Sequence, residues 1–204
     1  MNDELVNLEL AGKEPVEIVA WVLQRAKNPI ITTNFGPRAA SLLHCVTQLK
    51  PDIPVVWIDT GYNTSFTYKH AVKLIKRLKL NIKIFVPKQT AAFRNSVLGT
   101  PQPDTEEHEI FTEQVKLEPF KRALAELNPD FWFTNLRKGQ TALRNNLSPI
   151  NKGPNGIYKI CPFISWTDEE VDAYLQKYQL PSENRYYDPT KVFEHRECGL
   201  HKLN

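Results

Sequence analysis

The sequence predicts an α/β protein built on a doubly wound, mostly parallel sheet. Short apolar runs alternate along the chain with stretches of helical periodicity, the pattern of repeated β-α units. The run Val55-Val56-Trp57-Ile58 shows no polar alternation, as expected of a strand covered on both faces. The first two runs end in polar turns, and sheets of this class hold ligands at the carboxyl ends of their strands.

Taken in order, residues 14–27 place Val16, Ile18, Val19, Val22 and Leu23 at helical spacing, and Pro15 suits the first turn. A short extended run over 29–33 closes in Asn34-Phe35-Gly36-Pro37, and a second helix is predicted over 38–49. The strand at 55–58 ends in Asp59-Thr60-Gly61. A helix over 66–78 leads to a strand over 82–86, and a helix over 119–127 leads to a strand over 131–134. A further strand is predicted over 158–162. Thr167-Asp168-Glu169-Glu170 has the composition of a capping box for a helix reaching Tyr178. Residues 99–109, rich in Pro and acids, and residues 148–156 break the alternation, and both are predicted to be mobile loops.

With 204 residues, 41% of them hydrophobic, the chain suits one core with a small appendage. No apolar run approaches the roughly 18 residues of a spanning helix. The start, MNDELVNLEL, lacks the basic and apolar regions of a signal peptide, so a cytoplasmic location is expected. A net charge of +3 is far from the basicity of a nucleic-acid binder. The three cysteines, Cys45, Cys161 and Cys198, are widely separated, which argues against a disulfide framework and against a four-cysteine metal or iron–sulfur site.

The turn Thr32-Thr33-Asn34-Phe35-Gly36, with Arg38 behind it, offers hydroxyls, helix-start amides and a charge, the ingredients of an anion site. An ordinary polar strand-to-helix turn has the same composition. Asp59-Thr60-Gly61 is likewise open to both readings. Leu136-Arg137-Lys138-Gly139-Gln140, with Arg144, puts basic groups just past a strand's carboxyl end, where they suit an anionic ligand or form a solvated turn. Lys116 alone reads as surface. Cys45, among Leu42, Leu43 and Val46, and Cys161, at the end of a strand, read as small buried hydrophobes. Cys198 sits in a tail without apolar periodicity, expected to be exposed and mobile. Its basic neighbours His195, Arg196, His201 and Lys202 favour thiolate.

Together these segments resemble, in order, the thioredoxin-dependent 3′-phosphoadenylyl-sulfate (PAPS) reductase family. Thr32 to Gly36 is similar to the family's modified PP-loop. Pro51-Asp52-Ile53-Pro54 with Asp59-Thr60-Gly61-Tyr62 is similar to its second-strand signature. Lys116-Leu117-Glu118-Pro119 and Arg122-Ala123-Leu124 resemble its Lys-Val-Glu-Pro and Arg-Ala-Leu stretch, and Leu136-Arg137 with Gln140 its Arg-rich segment. Glu197-Cys198-Gly199-Leu200-His201 is similar to its tail motif. Lys138 and Gly139 depart from the family pattern, and the arm between Leu180 and Cys198 is shorter than usual.

The resemblance implies an adenine nucleotide alpha hydrolase-like, PP-loop-related fold. Residues 1–180 would form a nucleotide-binding domain and 181–204 a catalytic tail. It implies Cys198 as nucleophile with His201 beside it, an S-sulfocysteine intermediate, and thioredoxin or glutaredoxin as reductant. It implies no iron–sulfur cluster and no metal, and it admits a homodimer. Thr32, Thr33 and Gly36 would hold phosphate, and Asn34, Phe35 and Arg38 would bind substrate beside them, Arg38 with the hydroxyl-rich loop favouring PAPS and its 3′-phosphate over APS. Asp59, Thr60 and Gly61 would line the nucleoside pocket. Lys116, Arg137, Arg196 and His201 would face the phosphosulfate, and Lys138, Gln140 and Arg144 would also bind substrate. Three alternatives remain at this point: a cluster-free adenylyl-sulfate (APS) reductase, a non-catalytic nucleotide-binding protein of the same fold, and a metal-dependent ATP pyrophosphatase, against which the altered loop speaks.

Overall fold

The computed structural model of the chain describes residues 3–191. Arg196, Cys198 and His201 therefore lie outside the described residues. Helix α1 (Asp3–Leu10) precedes α2 (Pro15–Leu23), whose start carries Pro15 in its first turn and a Glu14–Glu17 capping box. There follow β1 (Pro29–Thr33), α3 (Ala39–Thr47), β2 (Pro54–Ile58), α4 (Ser65–Leu78) and β3 (Asn81–Phe85). Next come α5 (Ala91–Val97) and α6 (Glu106–Thr112), and a π-helical turn (Glu113–Leu117) runs on into α7 (Glu118–Leu127). The chain continues through β4 (Phe131–Phe133), α8 (Ala142–Asn145), β5 (Ile150–Lys152), β6 (Tyr158–Ile160) and α9 (Asp168–Lys177).

These strands form one six-stranded sheet in the order β3-β2-β1-β4-β6-β5. All neighbours run parallel except β5, which pairs antiparallel with β6. The chain steps outward from β1 to β3 and then returns to β4 on the other side of β1. The switch point of the sheet thus lies between β1 and β4.

Burial on both faces explains the unbroken apolar strands. Ile31, Val55, Trp57, Phe131 and Phe133 face the larger core with residues of α2, α3, α4 and α9. Their neighbours Ile30, Val56 and Trp132 face the opposite core, against Phe120, Ala123 and Leu124 of α7. The fully buried rings of Phe120 and Trp132 lie 4.9 Å apart. Each such side chain contributes about 1.5–3 kcal/mol by leaving water. The capping box expected at Thr167 is present, with Thr167 Oγ1 accepting from Glu170 N at 3.2 Å and Glu170 Oε2 accepting from Thr167 N at 2.6 Å.

Both segments expected to be mobile loops contain regular structure. Helix α6 begins within residues 99–109, capped by Thr105, and buries His108 and Phe111. The acids that suggested a solvated loop, Glu106, Glu107 and Glu109, occupy its first turn, where they complement the positive end of the helix. Within residues 148–156, Ile150–Lys152 is the edge strand β5. Ile150 is buried, and Asn7 of α1 fixes its backbone on both sides, accepting from Ile150 N at 2.9 Å and donating to its carbonyl at 2.8 Å. A side chain far away in sequence supplies what local propensity lacks.

Candidate active site

The β1 turn spends much of its polarity on itself. Thr33 Oγ1 accepts from Phe35 N at 3.1 Å, and Asn34 Oδ1 accepts from Gly36 N at 3.0 Å. Phe35 takes a left-handed conformation, φ 50°, which turns its ring into the core, edge-on to Trp57 at 4.9 Å. Phe35 therefore does not line the cavity. Thr32 Oγ1 accepts from Trp132 Nε1 at 2.7 Å. The N-cap residue of α3, Arg38, makes no side-chain capping bond, and Gly36, Pro37 and Arg38 open onto the switch point.

A cavity of about 330 Å³ fills that switch point, within the range of small-ligand sites. Thr32, Thr33, Asn34, Gly36 and Thr60 line it from β1 and β2. Thr134, Asn135, Arg137, Gln140 and Arg144 line it from β4 and the loop behind. Asp59 and Gly61 are not among its walls. The Asp59 carboxylate instead accepts from Gly61 N, Asn63 Nδ2 and Tyr68 Oη at 3.1, 2.9 and 2.8 Å, and so builds the turn. Burial and this carboxylate push the Tyr68 phenol up to about 12. Lys138 is exposed and is not among the cavity walls, and its backbone N–H donates to the Ile164 carbonyl at 2.9 Å.

The walls are strongly cationic. Arg137, Arg144 and Lys116 are buried, each under a tenth exposed, and Lys191 adds to them. Gln140 Oε1 gathers Arg137 N at 3.2 Å and the Arg144 guanidinium. Arg137 also donates to Asp168 Oδ1 at 2.7 Å. Burial lowers the Arg137 pKa, and Asp168 partly offsets it. Among the described residues, the buried Arg137 Nε and Asn135 Oδ1 have no hydrogen-bond partner, an arrangement that a polar ligand would complete. Arg38 is differently placed. Its Nε and Nη2 form a bidentate pair with Asp172 at 2.7 Å each, and its Nη1 meets Asp168 at 2.8 Å. Two carboxylates therefore neutralise the charge that the sequence suggested for phosphate.

Residues 181–191, expected to be part of a mobile tail, lie across the cavity mouth. Ser182 Oγ donates to the Pro37 carbonyl at 2.8 Å, Asn34 Nδ2 donates to Tyr186 Oη at 2.9 Å, and Arg185 stacks 3.5 Å from the centroid of Phe66. Tyr186, Tyr187 and Asp188 join the lining. The two cysteines within the described residues are inert. Cys45 and Cys161 are free and buried, and burial raises their thiols to about 12 and about 11. Neither is a thiolate at neutral pH. Among the described residues, no group of three or more His, Cys, Asp or Glu side chains could hold a metal ion. None of the described helices is long and apolar enough to cross a membrane.

Comparison with known proteins gives this site its family. Residues 28–189 match the family model of the phosphoadenosine phosphosulfate reductase domain. The chain belongs to that family. A phosphoadenosine 5′-phosphosulfate reductase of Vibrio parahaemolyticus is 34% identical over 221 residues, covering 97% of this chain and 85% of that protein. The crystal structure of phosphoadenylyl-sulfate reductase from Candida auris, a phosphate complex, superposes with a TM-score of 0.78 at 26% identity, covering 88% of this chain and 86% of that one. An NH3-dependent NAD synthetase from Campylobacter jejuni has a TM-score of 0.56 at 12% identity over 88% of this chain and 75% of its own, a likeness of fold alone. The sheet is of the adenine nucleotide alpha hydrolase-like type.

In this member of the PAPS reductase domain family, the cavity brings together most of the positions singled out in the sequence. It also recruits residues that sequence reasoning missed. Asn135 was legible as the polar residue between a strand and Leu136-Arg137. Tyr186, Tyr187 and Asp188 carried no such signal, because only folding brings them against Asn34 and Lys116.

Proposed function

We propose that the protein reduces PAPS to sulfite and adenosine 3′,5′-bisphosphate in assimilatory sulfate reduction. The observation that carries this reading is the convergence of buried Arg137, Arg144 and Lys116 on the switch-point cavity, next to unpartnered polar atoms of Asn135 and Arg137. Desolvated cations of this kind suit a polyanion carrying a transferable sulfonate. Cys198 would attack as thiolate. Its Sγ–S bond to the sulfonate forms, while the bond from sulfur to the bridging oxygen breaks and its electron pair leaves on the nucleotide phosphate. The result is an S-sulfocysteine. A dithiol protein, thioredoxin or glutaredoxin, then attacks Cys198 Sγ. Sulfite departs with the electron pair, the reductant closes its own disulfide, and Cys198 returns to thiol. Arg196 and His201, which share the terminal motif, would face the phosphosulfate, and residues 181–204 would act as the catalytic segment on the nucleotide-binding domain. A cycle that needs Cys198 reduced suits the cytoplasm.

One observation favours a second reading, a cluster-free APS reductase: Arg38, expected to meet a 3′-phosphate, is already paired with Asp168 and Asp172. Sulfite release from PAPS and from APS, each with thioredoxin, decides between them. PAPS is expected to give the higher turnover per unit concentration, and equal or higher turnover of APS would favour the second reading. The nucleophile is tested by mass spectrometry without reductant. Wild type with PAPS should gain about 80 Da on the peptide holding Cys198, as a covalent sulfonate requires. Cys198→Ser should gain nothing and release no sulfite. An adduct on Cys45 or Cys161 would refute the assignment.

A further inference from the structure

The last fixed point of the described chain before Cys198 is a buried clasp. Lys116 Nζ donates to Thr190 Oγ1 at 3.0 Å and forms an ion pair with Asp188. The Lys116 and Asp188 side chains are each only 8% exposed. The other oxygen of Asp188 accepts from Thr190 N at 3.0 Å and Thr190 Oγ1 at 2.7 Å, and Lys191 N bonds the Asp188 carbonyl at 3.0 Å. Beside it, buried His108 of α6 bonds the Pro189 carbonyl through Nε2 at 3.0 Å. Burial alone would raise the Asp188 carboxyl. The Lys116 charge and the hydrogen bonds from Lys116 and Thr190 outweigh it and hold the carboxyl below its usual range. The Asp188 carboxyl is therefore ionised at neutral pH, and without Lys116 beside it that charge would be buried unpaired.

This clasp limits where Cys198 can be. The few residues from Thr190 to Cys198 span at most roughly 30 Å even when fully extended. Freed as far back as Leu180, the same segment would have about twice the length, and the effective concentration of its end falls as roughly the −3/2 power of that length. Anchoring therefore raises the local concentration of the thiol and fixes the direction from which it approaches.

We propose that Asp188 is a positioning residue: by clasping Lys116 it fixes the root of the C-terminal segment at the cavity wall and so delivers Cys198 to the bound sulfonate. The proposal rests on Cys198 being the nucleophile, as read above. It separates two quantities. Asp188 also cancels the charge of Lys116 toward an anionic ligand, so Asp188→Asn should leave nucleotide affinity unchanged or improved while delivery of the thiol suffers. A residue that only stabilised the fold would not divide the two in this way.

The test compares wild type, Asp188→Asn and Thr190→Val. Affinity for adenosine 3′,5′-bisphosphate is measured by calorimetry. The single-turnover rate of S-sulfonate formation on Cys198 is measured by mass spectrometry at saturating PAPS without reductant. Asp188→Asn should bind the nucleotide as tightly as wild type or up to about threefold more tightly, and form the adduct about threefold more slowly. Thr190→Val, which keeps the ion pair and loses both hydrogen bonds of the Thr190 hydroxyl, should show the same split, and it carries the test alone if Asp188→Asn does not fold. Rates within twofold of wild type in the folded variants, or affinity and rate falling together, would overturn the proposal. Absence of a Cys198 adduct in wild type would instead remove the nucleophile on which it rests.

Discussion

Two turns flank β1 at the same edge of the sheet, one after β2 and one after β4, and both looked like candidate ligand loops. The β2 turn is closed on itself. Asp59 accepts from three donors of its own neighbourhood, Thr60 Oγ1 accepts from Tyr62 N at 3.3 Å, and Gly61 supplies a φ of +81° where a Cβ would meet Ala91 Cβ at 3.2 Å. The β4 turn is left open. Gln140 draws Arg137 and Arg144 together, yet Arg137 Nε and Asn135 Oδ1 remain buried without partners among the described residues. A turn whose polar groups satisfy one another is structural. A turn that buries charge and leaves polar atoms unmatched is arranged for something that arrives later.

The largest effect should come from the open turn. Arg137→Met removes a buried fork that an anionic ligand would share, and one charge-assisted contact is worth about 1.5–3 kcal/mol. Affinity for adenosine 3′,5′-bisphosphate, read by calorimetry, should fall by about tenfold to a hundredfold, with the thermal midpoint near that of wild type because Met fills the site without a polar group. Unchanged affinity would erase the distinction between the turns. The closed turn should behave in the opposite way. Asp59→Ala strands the donors of Gly61, Asn63 and Tyr68 in a half-buried site. It should cost about 2 kcal/mol of stability, a drop of roughly 4–8 °C for a chain of this size, while affinity stays within about threefold of wild type. A large loss of affinity without a shift in midpoint would make Asp59 a ligand contact after all.

The difference between these turns explains what the sequence could and could not tell. Sheet class, every strand but the edge strand β5, and both turns follow from local apolar runs and turn composition, so Val55 to Ile58 and the polar groups behind it were legible. How each polar group is used depends on partners far along the chain. Arg38 looks like a phosphate ligand until Asp168 and Asp172, more than 100 residues later, reach it. Phe35 looks like part of a loop until its left-handed backbone turns the ring onto Trp57. Lys116 looks like surface until α6, the π-helical turn and residues 188–190 close around it. Residues 99–109 looked like a mobile loop because Glu106, Glu107 and Glu109 were read apart from the helix start that they complement.

Asp168 provides the finest test, because it stands between the open turn and the neutralised arginine. One oxygen accepts from Arg137 Nη2 at 2.7 Å and the other from Arg38 Nη1 at 2.8 Å, and the side chain is 48% exposed. At such exposure the pairing is screened and contributes little stability, roughly 0–1 kcal/mol. Its electrostatic effect on a ligand in the cavity is a partial cancellation of two cations. Asp168→Asn keeps a carbonyl oxygen as an acceptor but removes the negative charge. Arg38 keeps its bidentate partner Asp172, so its position should hold. Affinity for adenosine 3′,5′-bisphosphate should therefore rise, by about two- to fivefold at low salt, and the gain should shrink as ionic strength increases. Calorimetry at two salt concentrations reads both parts. A loss of affinity would mean that Asp168 orients Arg137 more than it neutralises it, and the open turn would then depend on α9 for its geometry as well as for its charge.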